Sequence, residues 1–356
     1  MDDIYEKIVA DTTKFNLGDE EEWRELYEPF QPEPSPEVRI SSNHRYGPAE
    51  RNLLDVYYKP NDKTPNKPVV VYIHGGGFFS GDKRWSEKFW GNVGRYFAGQ
   101  GMVVVIVNHQ LVSFDRPGAT PSNEPSIKYP AGADDVQKIR EWVYENIAAD
   151  EFGNGSPQKV VLLGHSSGGA HIAMNLYADG DPERRRADTS QPLFPPVAGV
   201  VYLSTPFWFD NKRPIRRQIL QKYYGSDAEE AWGHRTALGL LRNLPDNSPV
   251  WQVRFSHAGP NILLTTSNQE CERVTHICWD GAMGGEAFDG AIAFLHAYRE
   301  KSRPAETNPL FHILDKHNHV SNVLSIGTQD TAQAKMLLDF VQSCTQPSSS
   351  KMRSKL

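Results

Sequence analysis

Short apolar, β-branched runs recur along the chain: Glu37 to Ile40, Leu53 to Tyr58, Pro68 to Ile73, Met102 to Asn108, Lys159 to Leu163, Gly199 to Leu203, Asn261 to Thr266 and Leu310 to Leu314. The middle runs are continuously apolar, the pattern of parallel strands buried on both faces. Helical periodicity lies between them. It is clearest from Asp134 to Ile147, where Val136, Ile139, Trp142, Val143 and Ile147 fall on one stripe. Strands alternating with amphipathic helices predict an α/β doubly wound sheet, mostly parallel, with helices on both faces.

Three stretches break the alternation. Residues 1–35 read as helical cap elements. Asp19 to Tyr27 places Trp23, Leu26 and Tyr27 at helical spacing, and Pro29, Pro32, Pro34 and Pro36 stop the helix. Within the body, 36–343, residues 206–253 carry helical, aromatic and charged positions without a strand, as expected of a cap inserted into the sheet. Cys271 to Gly285 has no readable period. Residues 344–356 read as a flexible tail.

Composition narrows the class. The 356 residues are 38% hydrophobic and 23% charged, enough apolar material for a full core. The net charge is −6 and the body holds no basic block, which argues against a nucleic-acid partner. The three cysteines, Cys271, Cys278 and Cys344, form no disulfide framework and no metal-ligand pattern, so they read as reduced thiols. The acidic start, Met1 to Glu6, lacks the apolar core of a signal peptide. The longest apolar runs, Val69 to Ile73 and Met102 to Val107, are too short to span a bilayer. A soluble, intracellular protein is expected. The chain ends in Ser354-Lys355-Leu356, the form of a peroxisomal address bound by the import receptor.

The candidate chemistry centres on Gly164-His165-Ser166-Ser167-Gly168. This G-x-S-x-G follows a buried strand and opens a helix, the setting that holds a nucleophilic serine on a sharp turn. Upstream, His74-Gly75-Gly76-Gly77-Phe78 also follows a buried strand. Its glycines let backbone N–H groups approach a substrate oxygen, so Gly75, Gly76 and Gly77, with the N–H of Ser167, are the expected oxyanion hole. A serine needs a histidine to take its proton. His317 and His319 both follow the last strand; His312, His165 and His171 read as structural, and His74 as an anchor of the glycine loop.

These motifs resemble the H-G-G-G branch of the α/β-hydrolases, which includes hormone-sensitive-lipase-like esterases and arylformamidases. Further matching stretches are Arg51 to Tyr57 and Tyr129 to Asp135. The resemblance implies an eight-stranded sheet, a helical cap and no cofactor. It favours His319 as the base, because related sequences end that loop in a histidine there. It places the acid just past the seventh strand, where Glu270 stands, with Asp280 and Asp289 as rivals. More narrowly, the chain resembles the peroxisomal esterase-lipases of the Alternaria host-selective toxin clusters (AK, AF and ACT), which implies acyl ester or thioester chemistry in secondary metabolism on the way to an epoxy-decatrienoic acid.

The expected activity is therefore that of a serine hydrolase acting on a small-molecule acyl substrate. Trp23, Tyr27, Phe78, Phe79, Phe207, Trp208 and Phe209 are candidates for an apolar acyl pocket. Lys83, Arg84 and Arg213 to Arg217 are candidates for meeting CoA phosphates. The competing classes are an arylformamidase-type amide hydrolase and a non-catalytic binding protein on the same fold.

Overall fold

The β-branched runs become the centre of one eight-stranded sheet, ordered β1-β2-β4-β3-β5-β6-β7-β8. The strands are β1 (Arg39–Arg45), β2 (Leu53–Tyr58), β3 (Lys67–Ile73), β4 (Val103–Val107), β5 (Gly155–His165), β6 (Gly199–Leu203), β7 (Asn261–Ser267) and β8 (Leu310–Leu314). β1 and β2 join antiparallel; from β4 to β8 every pairing is parallel. The structure, a computed structural model, describes residues 1–10, 20–86, 88–115, 119–121, 125–251, 261–267, 284–302, 309–314 and 317–345.

Alternate residues of the central strands feed two cores, because successive side chains point to opposite faces. Val69, Val71 and Ile73 of β3 join α4 (Ala131–Asn146), α5 (Ser167–Leu176), α6 (Pro214–Tyr224), α8 (Ala237–Arg242) and α9 (Gly284–Lys301) on one face. Val70 and Tyr72 join α3 (Gly91–Gly99) and α11 (Ala332–Thr345) on the other. With both faces covered, continuous apolar strands are what the architecture requires.

The strand assignments stand within a few residues, with one instructive departure. β1 runs on through Ser41, Ser42, Asn43 and His44, past the expected Ile40. It is an edge strand, half-buried or exposed along its length, so it needs no apolar alternation to be held by its ladder. Between β6 and β7 lie α6, α7 (Glu229–Trp232) and α8, with no strand among the described residues.

The N-terminal elements α1 (Asp2–Ala10) and α2 (Glu20–Tyr27) pack on the second face, where Ile4, Ile8, Trp23 and Tyr27 are buried. Gln31, just after α2, donates to the carbonyls of Leu324 (2.6 Å) and Ile326 (3.3 Å). This ties the N-terminal segment to α10 (Ser321–Leu324), immediately past the histidine loop. No helix among the described residues is long and apolar enough to cross a membrane.

Candidate active site

β5 runs directly into the turn that carries Ser166. Ser166 has φ +51° and ψ −124°, a conformation unusual for a residue with a side chain. Its N–H is held by the Leu203 carbonyl at 2.9 Å, which fixes the turn against the end of β6. The turn packs on the end of β3 only because Gly168 has no side chain: a Cβ there would lie 2.2 Å from the Ile73 carbonyl oxygen. Ser167 opens α5, so its N–H belongs to the first turn, where helical backbone donors lack intrahelical partners.

The glycine loop leaves β3 beside this turn. A Cβ on Gly75 would lie 2.9 Å from the Cβ of Ser166, so only glycine fits next to the nucleophile candidate. Gly75, Gly76 and Gly77 line one cavity of about 100 Å³ together with Ser166, His165 and His319. Behind the loop, His74 Nδ1 donates to the Gly75 carbonyl at 2.7 Å. Arg51 donates through Nε to the His109 carbonyl (2.9 Å) and through Nη2 to the Gly81 carbonyl (2.8 Å). The rings of His74, His109 and His171 form a fully buried group, with centroids 4.5 and 4.9 Å apart. Burial, the largest cause, holds all three imidazoles below their ordinary range, and the Arg51 guanidinium pushes His74 and His109 the same way.

The loop after β8 supplies the base candidate. His319 Nε2 lies 3.0 Å from Ser166 Oγ. Asn318 shapes the presentation: its Oδ1 accepts from the N–H groups of Val320 (3.0 Å) and Ser321 (2.8 Å). His165 Nε2 donates to the His319 carbonyl at 2.8 Å and ties this loop to the serine turn. His317 is buried elsewhere. Its Nδ1 meets Ser321 Oγ at 3.2 Å and its Nε2 meets Asp330 Oδ2 at 3.3 Å. Asp330 also accepts from the Tyr5 hydroxyl of α1 at 2.7 Å. The hydrogen bond from His317, the largest influence, brings the Asp330 carboxyl down to about 2.

Of the acid candidates, Glu270 and Asp280 lie outside the described residues, as do Cys271, Cys278 and Ser354-Lys355-Leu356. Asp289 is on α9, in a groove with Arg242 and His296 that shares no residue with the Ser166 cavity. His312 is exposed on β8. Among the described residues, no cluster of histidine, cysteine or acidic side chains is arranged to hold a metal ion.

The aromatic candidates for an acyl pocket are corrected. Phe78 is buried against His171, Phe209 and Tyr223. Phe79 packs on Phe114, and Phe207 on Phe294. Trp208 packs on Trp232, and Trp23 and Tyr27 are buried in the second core. None of the seven lines the cavity; its aromatic walls are Trp85 and Trp90. The cationic candidates are largely committed too. Lys83 and Arg84 grip the buried Asp55 at 2.8 and 3.0 Å, and Arg216 grips Glu286. Besides Ser80, Gly81, Trp85 and Trp90, the cavity residues that sequence reasoning missed are Glu20, Glu21 and Arg24 of α2. Their charge pattern resembles any solvated helix face, so nothing local marked them.

This arrangement defines the class of the molecule: the chain has the α/β-hydrolase fold. Residues 54–183 match the BD-FAE family. Over 205 residues the chain is 29% identical to an acetylcholinesterase of Danio rerio, covering 56% of this chain and 29% of that one. It is 34% identical over 146 residues to the para-nitrobenzyl esterase of Bacillus subtilis, covering 41% and 28%. The chain thus spans less than a third of the length of these curated relatives. Among solved structures it is similar to esterase B from Lactobacillus rhamnosis, with a TM-score of 0.64, 15% identity and 97% of each chain covered.

Proposed function

We propose that the protein is a serine hydrolase of carboxylic esters, with Ser166 as nucleophile and His319 as general base. The observation that carries this is the 3.0 Å approach of His319 Nε2 to Ser166 Oγ in the cavity lined by the glycine loop. The names of its relatives, an acetylcholinesterase and a para-nitrobenzyl esterase, support the ester class. Ser166 Oγ bonds to the acyl carbon as its proton passes to His319 Nε2. The carbonyl oxygen takes the negative charge and accepts from the N–H groups of Gly76, Gly77 and Ser167. The bond to the leaving oxygen breaks, and His319 returns the proton to it. Water, deprotonated by the same imidazole, then releases the acid and restores Ser166. Glu270, by its position after β7 in the sequence, is our assignment for the carboxylate that orients His319.

A cavity of about 100 Å³ is small beside the ~300–1,000 Å³ typical of ligand pockets, which favours a short acyl group. The sequence resemblance extends the reading to acyl ester or thioester chemistry in fungal secondary metabolism of the host-selective-toxin type. Ser354-Lys355-Leu356 supports our reading of a peroxisomal location, and a fluorescent fusion lacking these residues should stay cytosolic. The activity is tested by intact-mass spectrometry after incubation with a fluorophosphonate. One adduct is expected on the wild type and none on Ser166→Ala. Folded wild type without an adduct would overturn the hydrolase reading in favour of a binding protein.

A further inference from the structure

The cavity beside Ser166 contains a buried cation that the hydrolytic steps do not use. Arg24 of α2 lines the cavity and is only 7% exposed. Its guanidinium lies 3.7 Å above the Trp85 ring. Its Nη2 donates to Glu21 Oε2 at 2.7 Å. Its Nε–H is buried without an acceptor among the described residues. Trp85 Nε1–H donates to the same Glu21 oxygen at 3.2 Å.

Nε and Nη2 form one edge of the guanidinium fork, whose two parallel donors match the two oxygens of a carboxylate. Here one oxygen of Glu21 takes half of that edge, and the buried Nε–H of the other half meets no acceptor among the described residues. The Glu21 side chain is 59% exposed, so it can leave for water at little cost. Three donors, two from Arg24 and one from Trp85, thus surround a position that Glu21 holds only in part. A buried guanidinium with an unmet donor is costly to maintain. The cost is offset when an incoming carboxylate takes both donors of the edge.

We infer that Arg24, with Trp85, is an anion-recognition site, and that the substrate is a compact ester carrying a carboxylate a few bonds from the scissile carbonyl. This rests on the Ser166 hydrolase reading and names its substrate class. Compactness follows from the cavity of about 100 Å³, which holds both Arg24 and Ser166 in its walls. A cationic substrate is disfavoured, because the Trp85 face that would receive it is already covered by Arg24. Glu21 stands in for the ligand's carboxylate and competes with it; Glu20, also in the cavity wall, adds negative charge that the ligand must meet.

The test measures kcat/KM on two pairs of esters. The first pair is p-nitrophenyl hydrogen glutarate and p-nitrophenyl butyrate, with the anion on the acyl side. The second is 4-carboxyphenyl butyrate and phenyl butyrate, with the anion on the alcohol side. The readout is the anionic-to-neutral ratio, corrected for reactivity with hydroxide. Wild type should favour the anionic member of one pair by at least about tenfold, the worth of a hydrogen bond to a charged group. Arg24→Gln should remove that preference, Arg24→Lys should restore part of it, and Glu21→Gln should raise it. Ratios near one in the wild type, or equal ratios in wild type and Arg24→Gln, would show that Arg24 only staples α2 and would overturn the inference. If Arg24→Gln does not fold, Glu21→Gln decides, and an unchanged or lowered ratio overturns it. No turnover of any of the four esters and no fluorophosphonate adduct would overturn the hydrolase reading itself. Ester turnover with flat ratios overturns the anion site alone.

Discussion

His317 and His319 stand two positions apart in one loop yet serve different parts of the molecule: His319 Nε2 meets Ser166 Oγ at 3.0 Å, while His317 Nε2 meets Asp330 Oδ2 at 3.3 Å. The separation makes their substitutions distinguishable. His319→Ala should lower kcat for p-nitrophenyl butyrate by at least about 10³-fold with the melting temperature little changed, because the serine loses its proton acceptor. His317→Ala should instead lower the melting temperature and leave the fluorophosphonate adduct on Ser166. Parallel kinetics and thermal melts check both.

Gly75 offers a test of the oxyanion loop. A methyl group there would lie 2.9 Å from both Ser166 Cβ and His165 Nδ1, which cannot be accommodated without moving the loop. Gly75→Ala should fold and lose about 10²–10³-fold in kcat, the scale of one lost oxyanion donor. KM should change far less.

Asp330 makes stability depend on pH in a definite direction. Its carboxyl sits at about 2 in the folded state, below the ~3.9 of an unfolded aspartate. Its contribution is therefore complete above about pH 4 and fades as the pH falls toward 2. Asp330→Asn should lower the melting temperature near pH 7, and the gap to wild type should close as the pH falls below 4. Tyr5→Phe should show a smaller gap closing over the same window.

The buried histidines act at higher pH. His171 is fully buried and its imidazole is held well below the ordinary range, while an unfolded histidine takes up a proton near ~6.5. Acidification below that point favours the unfolded chain. His171→Phe should gain on wild type as the pH falls from 6.5, by up to about 1.4 kcal/mol per unit. Urea unfolding at pH 7, 6 and 5 measures the slope; a constant difference across that range would contradict the neutral, buried assignment.

Arg216 and Glu286 join α6 to the first turn of α9 through two hydrogen bonds, at 2.9 and 2.5 Å, with both side chains almost fully buried. Glu286→Gln should destabilise by about 3–5 kcal/mol, because it leaves a buried cation without its charge partner. The double change Arg216→Met, Glu286→Leu should cost less than that single one. Denaturant midpoints give the comparison.

The sheet was legible because burial on both faces writes itself into β3, β4, β5 and β6 as unbroken apolar runs. The serine turn was legible because its G-x-S-x-G spacing stands between an apolar strand run and a helix, all of it contiguous in sequence. The cavity wall was not. Whether Arg24 joins the wall of the Ser166 cavity depends on how α2 docks against elements far along the chain, and no local period records that. The aromatic residues misled for a related reason. Phe78 and Phe207 have the size and polarity of pocket walls, but the same properties make them core residues, and the core is where they sit. Glu270 is preferred to Asp280 and Asp289 on the family resemblance, because position after β7 by itself does not distinguish carboxylates.

The cavity is assembled from two sources. Its reactive side comes from loops at the strand ends, fixed by the sheet; Glu20, Glu21 and Arg24 come from a short helix held by side-chain packing and a few hydrogen bonds such as those of Gln31. A change at Glu20, Glu21 or Arg24 alters the cavity wall that the serine meets, while the turn and the glycine loop keep their own contacts. The selectivity proposed above is therefore modular: Glu20, Glu21 and Arg24 can be varied together while Trp23 and Tyr27 hold the helix in the core.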